Sequence, residues 1–101
     1  MPQQQIERRK PDYYGVLGDL TFDTIVHVEQ EGFAAIDDAS GSVMFDFSQV
    51  GQCSSATLAL LLSWVRYSNG LNKHLSVTGA SHRLLGQLRS VNLEHLVSIE
   101  S

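Results

Sequence analysis

The side chains with the most chemistry in this sequence stand in one short run: Cys53, Ser54, Ser55 and, two residues on, Thr57. A thiol or hydroxyl at the start of a helix can serve as a nucleophile, a phosphate acceptor or a cap, because the unpaired backbone N–H groups there favour negative charge and acceptor oxygens. Nucleophilic catalysis needs more than this run supplies. Ser55 does not sit in a Gly-x-Ser-x-Gly elbow. His27, His74, His82 and His95 have neither metal-ligand spacing nor an evident pairing with Cys53. The glycines at 15, 18, 41, 51, 70, 79 and 86 form no phosphate loop. No catalytic residue, metal ligand or cofactor site is therefore assigned, and two uses of the hydroxyls stay open: a helix cap, or a hydrogen bond across an interface.

The helix that this run opens extends to Tyr67. At about 100° per residue, Leu58, Leu61, Leu62 and Val65 fall on one stripe with Ala59 beside it, the spacing of a helix laid on a sheet. Ala56, Leu60, Ser63, Trp64 and Tyr67 fall on the opposite side, where an isolated domain places Lys, Glu and Gln. Either a second layer of the same domain covers this outer stripe or a partner does. A chain of 101 residues leaves little for such a layer, so the expectation is a partner.

Around that helix the sequence predicts one domain with a single core, 43% of its residues being hydrophobic. Residues 1–12 read as a flexible, polar N-terminal segment. Residues 13–20 read as a strand pair or bent strand, and residues 21–33 as an amphipathic helix capped by Thr21 or Asp23. A turn at 37–42 leads to an apolar strand at 43–47 and a connector at 48–54. Asn69 and Gly70 are expected to stop the central helix with a left-handed cap. A strand at 74–79 and a helix capped by Ser81, bearing Leu84, Leu85, Leu88 and Val91, come next, with a short strand or turn at 96–99. This order predicts an α/β fold: a mixed sheet of about four strands with helices mainly on one face, joined by right-handed crossovers.

Charge is unevenly distributed. Residues 11–65 contain no Lys or Arg yet carry Asp12, Asp19, Asp23, Glu29, Glu31, Asp37, Asp38 and Asp46, and the net charge is -4. That pattern argues against nucleic acid as a ligand, which needs a clustered basic face, and could steer a basic protein partner. No run approaches the roughly 18 apolar residues of a membrane span. The polar first ten residues lack the apolar stretch of a signal peptide, so the expected location is the cytoplasm, in keeping with a lone Cys53 that has no disulfide partner.

Residues 43–62, V-M-F-D-F-S-Q-V-G-Q-C-S-S-A-T-L-A-L-L-L, resemble the signature of STAS domains, in which an apolar strand ending in Asp-Leu-Ser leads through a loop to Asp-Ser-Ser-Gly-Leu. G-V-L-G-D-L-T-F-D-T at 15–24 resembles the family's opening strand and turn, and L-S-V-T-G-A-S-H-R-L-L-G-Q-L at 75–88 its later strand and helix. The resemblance spans residues 13–99 and assigns a STAS domain to 13–101. Aligned on Leu58, the family's Asp-Ser-Ser-Gly falls on Ser54, Ser55, Ala56 and Thr57. In the anti-anti-sigma branch a partner kinase phosphorylates the second serine. That position is Ala56 here, which has no oxygen to receive a phosphate.

The chain is most similar to the branch that serves ABC-type phospholipid transporters, in which the important hydroxyl sits at the position of Ser55. The resemblance then implies a non-catalytic subunit that binds and supports an MlaF-type ABC ATPase, in a complex with membrane permease and MCE-domain subunits. Such complexes maintain outer-membrane lipid asymmetry in Gram-negative bacteria, and the subunit is peripheral to the inner membrane without inserting into it. On this reading the partner-binding residues are Ser54, Ser55, Ala56, Thr57, Leu60, Ser63, Trp64 and Tyr67, with Trp64 as anchor and Arg66 at the rim. Two alternatives stand beside it: an anti-anti-sigma regulator phosphorylated at another hydroxyl such as Ser55, and a small α/β enzyme using Cys53 or Ser55 as nucleophile.

Overall fold

Apolar side chains alternate along residues 43–47 as Val43, Phe45 and Phe47, and this run is the buried heart of a long central strand. The computed structural model describes residues 4–93 and 95. Its elements are β1 (Ile6–Lys10), β2 (Tyr13–Leu20), α1 (Ile25–Asp38), β3 (Ser42–Cys53), α2 (Ala56–Gly70), β4 (His74–Thr78) and α3 (His82–Ser90). They form a four-stranded sheet in the order β1-β2-β3-β4. β1 runs antiparallel to β2, whereas β2, β3 and β4 are parallel. Both crossovers advance the same way across the sheet, so their right-handedness puts α1 and α2 on one face. Ile6, Tyr14, Val16, Val43, Phe45, Phe47, Leu75 and Val77 are buried beneath them. This is the expected mixed α/β sheet.

Several boundaries differ from the sequence reading. Residues 6–10 are not part of a flexible segment but the edge strand β1, in register from Ile6↔Val16 to Lys10↔Tyr13. Only Ile6 of its five residues is buried, so hydrophobic pattern gives it no signal. Backbone pairing holds it, together with the Glu31 carboxylate, which accepts from the N–H groups of Gln5 at 3.0 Å and Ile6 at 2.9 Å. Residues 48–53 are likewise no connector. β3 continues through them beside β2, pairing Leu17↔Gln49 and Leu20↔Cys53, and its side chains are mostly exposed there. α1 starts after Thr24 and runs past Phe33 to Asp38. Neither Thr21 nor Asp23 caps it: the hydroxyl of Thr24 accepts from Thr21 N–H at 3.1 Å and donates to the Asp19 carbonyl at 2.9 Å, fixing the turn before the helix. Asn69 and Gly70 lie within α2, and the left-handed residue beyond it is Asn72. Ser81 does cap α3, accepting from Leu84 N–H. Residues 96–99 lie outside the described residues.

The largest correction concerns α2. Its buried residues are Thr57, Leu60, Leu61, Trp64 and Ser68, a stripe of helical period that contains Leu60 and Trp64 of the supposed outer face. The domain itself covers this stripe, with the sheet beneath it and α1 alongside in the same layer. Trp64 is fully buried, stacked on Phe45 at 4.4 Å between ring centroids and edge-on to Phe47 at 6.4 Å. Its indole N–H donates to the Glu29 carbonyl of α1 at 3.2 Å. Gly32 leaves the room: a Cβ there would lie 2.1 Å from Trp64 Cε2. Ser63 and Tyr67 spend their hydroxyls along the same seam, donating to Glu29 at 2.6 Å and Asp37 at 2.7 Å. Of the expected core stripe only Leu61 is fully buried, while Leu58 and Val65 pack partly against the core, Leu62 is half-buried and Ala59 is exposed.

Thr57 adds a cost to this interior. It is fully buried, and its hydroxyl has no hydrogen-bond partner among the described residues. An unpaired buried polar atom forfeits about 1–3 kcal/mol of solvation. Thr57→Val, nearly the same shape without the hydroxyl, is expected to raise the melting temperature by an amount equivalent to about 1 kcal/mol. Calorimetry of the two proteins side by side checks this, and an unchanged or lower value would mean that the hydroxyl is satisfied.

Candidate partner-binding surface

The carboxyl ends of β2, β3 and β4 and the amino ends of α1, α2 and α3 share one edge of the molecule, the usual place for recognition in parallel α/β sheets. Two hydrogen bonds join the loops there. Ser54 N–H donates to the Leu20 carbonyl at 3.0 Å, and Gln52 N–H donates to Asp19 Oδ1 at 2.8 Å. The turn before α1 is thus held against the entry to α2.

At that entry the two serines divide the work. Ser54 Oγ accepts from Ala56 N–H at 3.2 Å. Ser55 occupies the N-cap position with φ -61° and ψ -21°; its carbonyl accepts from Leu58 N–H at 3.3 Å, but its side chain makes no capping bond. Ser55 is exposed, with its hydroxyl uncommitted among the described residues.

Beside Ser55 a groove of about 210 Å³ separates the first turns of α1 and α2. Ile25, Ala56, Ala59 and Leu60 line it, with Phe22 and Val26 on its α1 side. Phe22 is 72% exposed and Val26 66%, the two most exposed large apolar side chains of the described residues. Of the residues read from sequence, Ala56 and Leu60 line this groove, Ser55 precedes Ala56 at its end, and Ser54 lines the neighbouring polar cleft. Thr57, Ser63, Trp64 and Tyr67 line neither, being buried or engaged with α1. Phe22 and Val26 were not among the sequence candidates. Their signal is an excess of apolar residues at 22, 25, 26 and 28, with Phe22 and Val26 one helical turn apart and away from buried Val28.

On the other side of Ser54 lies a polar cleft of about 480 Å³, lined by Thr21, Gln52, Cys53, Ser54, Ser81 and Arg83 among others. Cys53 is a half-buried free thiol. Among the described residues no three His, Cys, Asp or Glu side chains converge as metal ligands.

Asp46, the acidic residue of the strand motif, acts from the sheet face turned away from the helices. Its carboxylate receives Arg9 Nη1 at 2.6 Å and Ser48 N–H at 2.9 Å, clamping β1 and the bend of β3. Burial works against the charged form, yet the bonds from Ser48 and Arg9 outweigh it and hold the Asp46 pKa below its ordinary value. Because the folded-state pKa is depressed, this stabilisation is complete above the unfolded-state pKa near ~3.9 and is lost as pH falls through the folded value. Asp46→Asn is therefore expected to lower stability at neutral pH by about 1–3 kcal/mol and to flatten the acid limb of melting temperature against pH. Parallel acid limbs in thermal melts of the two proteins would contradict this role.

Among the described residues no helix is long and apolar enough to cross a membrane. The sequence model of the family described as "Mlab, STAS domain" matches residues 15–98. Among curated proteins no sequence match reaches significance. The fold is similar to the anti-sigma factor antagonist SpoIIAA in its unphosphorylated form, with a TM-score of 0.75 and 14% identity over 93% of this chain and 84% of that one. The phosphorylated form of SpoIIAA, described as a Bacillus cell fate determinant, gives a TM-score of 0.73 and 14% identity over 93% of this chain and 87% of that one.

Proposed function

From the premise that this chain belongs to the STAS family described as Mlab, we propose that it is a non-catalytic binding subunit for the ATPase of an ABC-type phospholipid transporter. The ATPase is of the MlaF type, in a complex with permease and MCE-domain subunits. The chain works in the cytoplasm, peripheral to the inner membrane through its partner, and supports an activity whose nucleotide site is the partner's.

The observation that carries this reading is Ser55. It is exposed and not used as a cap, and it stands beside an open apolar groove at the amino end of the helix that the family resemblance assigns to docking. A hydroxyl with no internal duty next to exposed Phe22 suits an interface that mixes one hydrogen bond with apolar contact.

Co-expression with the Mla-type ATPase of the same organism, followed by size-exclusion chromatography and an ATPase assay, tests this. Wild type is expected to co-elute and raise ATP turnover. Ser55→Arg is expected to lose at least tenfold in affinity, about 1.4 kcal/mol, with an unchanged melting temperature because the site is exposed. Separate elution of wild type with unaltered turnover would overturn the proposal and turn the search to serine kinases of partner-switching pathways.

A further inference from the structure

The groove beside Ser55 has an acidic setting. Glu29 lines it and Asp23 adjoins Phe22 in the exposed turn, while the Asp19 carboxylate is turned to Gln52 at the neighbouring polar cleft. Asp23 has no hydrogen-bond or ion-pair partner among the described residues, whereas Glu29 is held by Ser63 and Asp19 by Gln52. No Lys or Arg occurs between residues 11 and 65 to neutralise them. Of the chain's own cations, Arg66 lies seven residues beyond Ala59, two turns along α2, and Arg83 lines the cleft on the far side of Ser54. His27 is paired with Glu31 at 2.8 Å. The patch is therefore apolar at its centre and negative along its α1 side.

We propose that the element seated in this groove is a segment of the ATPase partner carrying an apolar ridge flanked by Lys or Arg, with Phe22 as the principal anchor and Asp23 as the steering charge. The proposal rests on the functional reading above and adds the chemistry of the surface that meets it. Charge decides between this occupant and a second copy of the chain. A two-fold contact through the groove would bring Asp23 and Glu29 of both copies into one desolvated rim, where like charges are penalised. A basic-flanked partner converts the same charges into attraction and a faster encounter. Phe22 and Val26 provide the desolvated centre that such a rim needs.

The test measures affinity of the purified chain for the ATPase by titration, across a range of salt, for wild type, Phe22→Ala and Asp23→Lys. Phe22→Ala is expected to weaken binding at least tenfold at every salt concentration, with the melting temperature unchanged. Asp23→Lys is expected to weaken it several-fold at low salt, with the difference disappearing near ~1 M, where the screening length falls to about 3 Å. Wild-type binding that neither substitution alters would overturn the proposal while leaving the ATPase-subunit reading intact. No wild-type binding would defeat both. A concentration-dependent dimer in sedimentation, abolished by Phe22→Ala, would overturn it in favour of a second copy.

Discussion

Trp64→Ala is expected to unfold much of the population rather than to release a partner. The indole is fully buried, stacked on Phe45 and bonded to the Glu29 carbonyl. Truncating a buried Trp to Ala costs about 3–5 kcal/mol, a large share of the roughly 5–15 kcal/mol that a domain has in total. The facing change is also informative. Gly32→Ala would set a Cβ within 2.1 Å of the Trp64 ring, and overpacking of this kind costs about 1–3 kcal/mol or more. Urea denaturation followed by circular dichroism reads both variants, which avoids depending on the fluorescence of the only tryptophan. A Trp64→Ala protein with wild-type stability would put the ring back on the surface.

Gly79→Ala is expected to cost about 2–4 kcal/mol, from two sources. Gly79 has φ +70°, a left-handed backbone that costs an L-residue about 1–2 kcal/mol. Its Cβ would also lie 2.6 Å from Asp46 Oδ1 and 2.7 Å from the backbone nitrogen of Ser48. Those atoms are the donor and acceptor of one hydrogen bond, so relieving the overlap breaks the clamp on β3. Gly86→Ala is the control: it lies in α3 with nothing within 4 Å of a new Cβ and should stabilise by about 0.5–1 kcal/mol. Equal effects at both positions in chemical denaturation would rule out the close approach at Gly79.

The parts of this fold legible in the sequence were those whose signal is local. The apolar strand around Val43, Phe45 and Phe47, the Ser81 cap and the order of elements from β2 to α3 each follow from a few neighbouring residues, and the structure has them. β1 has no local signature because its support is non-local: backbone pairing to β2, the Glu31 carboxylate, and Arg9 reaching Asp46. The α2 stripe looks the same in sequence whether a neighbouring helix or another protein covers it, so the sequence points to a partner where the structure has α1 and the sheet. What decided it was Gly32, a residue on a different helix whose missing side chain admits Trp64. Of the run from Ser54 to Ala56, Ser55 is exposed at the start of α2 and the other two are half-buried. Phe22 and Val26 belong to the stretch 21–33, whose apolar residues the sequence reading places in an amphipathic helix without telling which of them stay exposed. Only the packing of α1 shows that these two point away from the core.

Hydrogen–deuterium exchange on the complex with the ATPase tests most directly whether this exposed edge is the working surface. Slower exchange on binding is expected at residues 20–27 and 54–59, around Phe22 and Ser55, with β1 and α3 unchanged. Protection confined to β1 or α3, with the amino ends of α1 and α2 unaffected, would contradict the assignment.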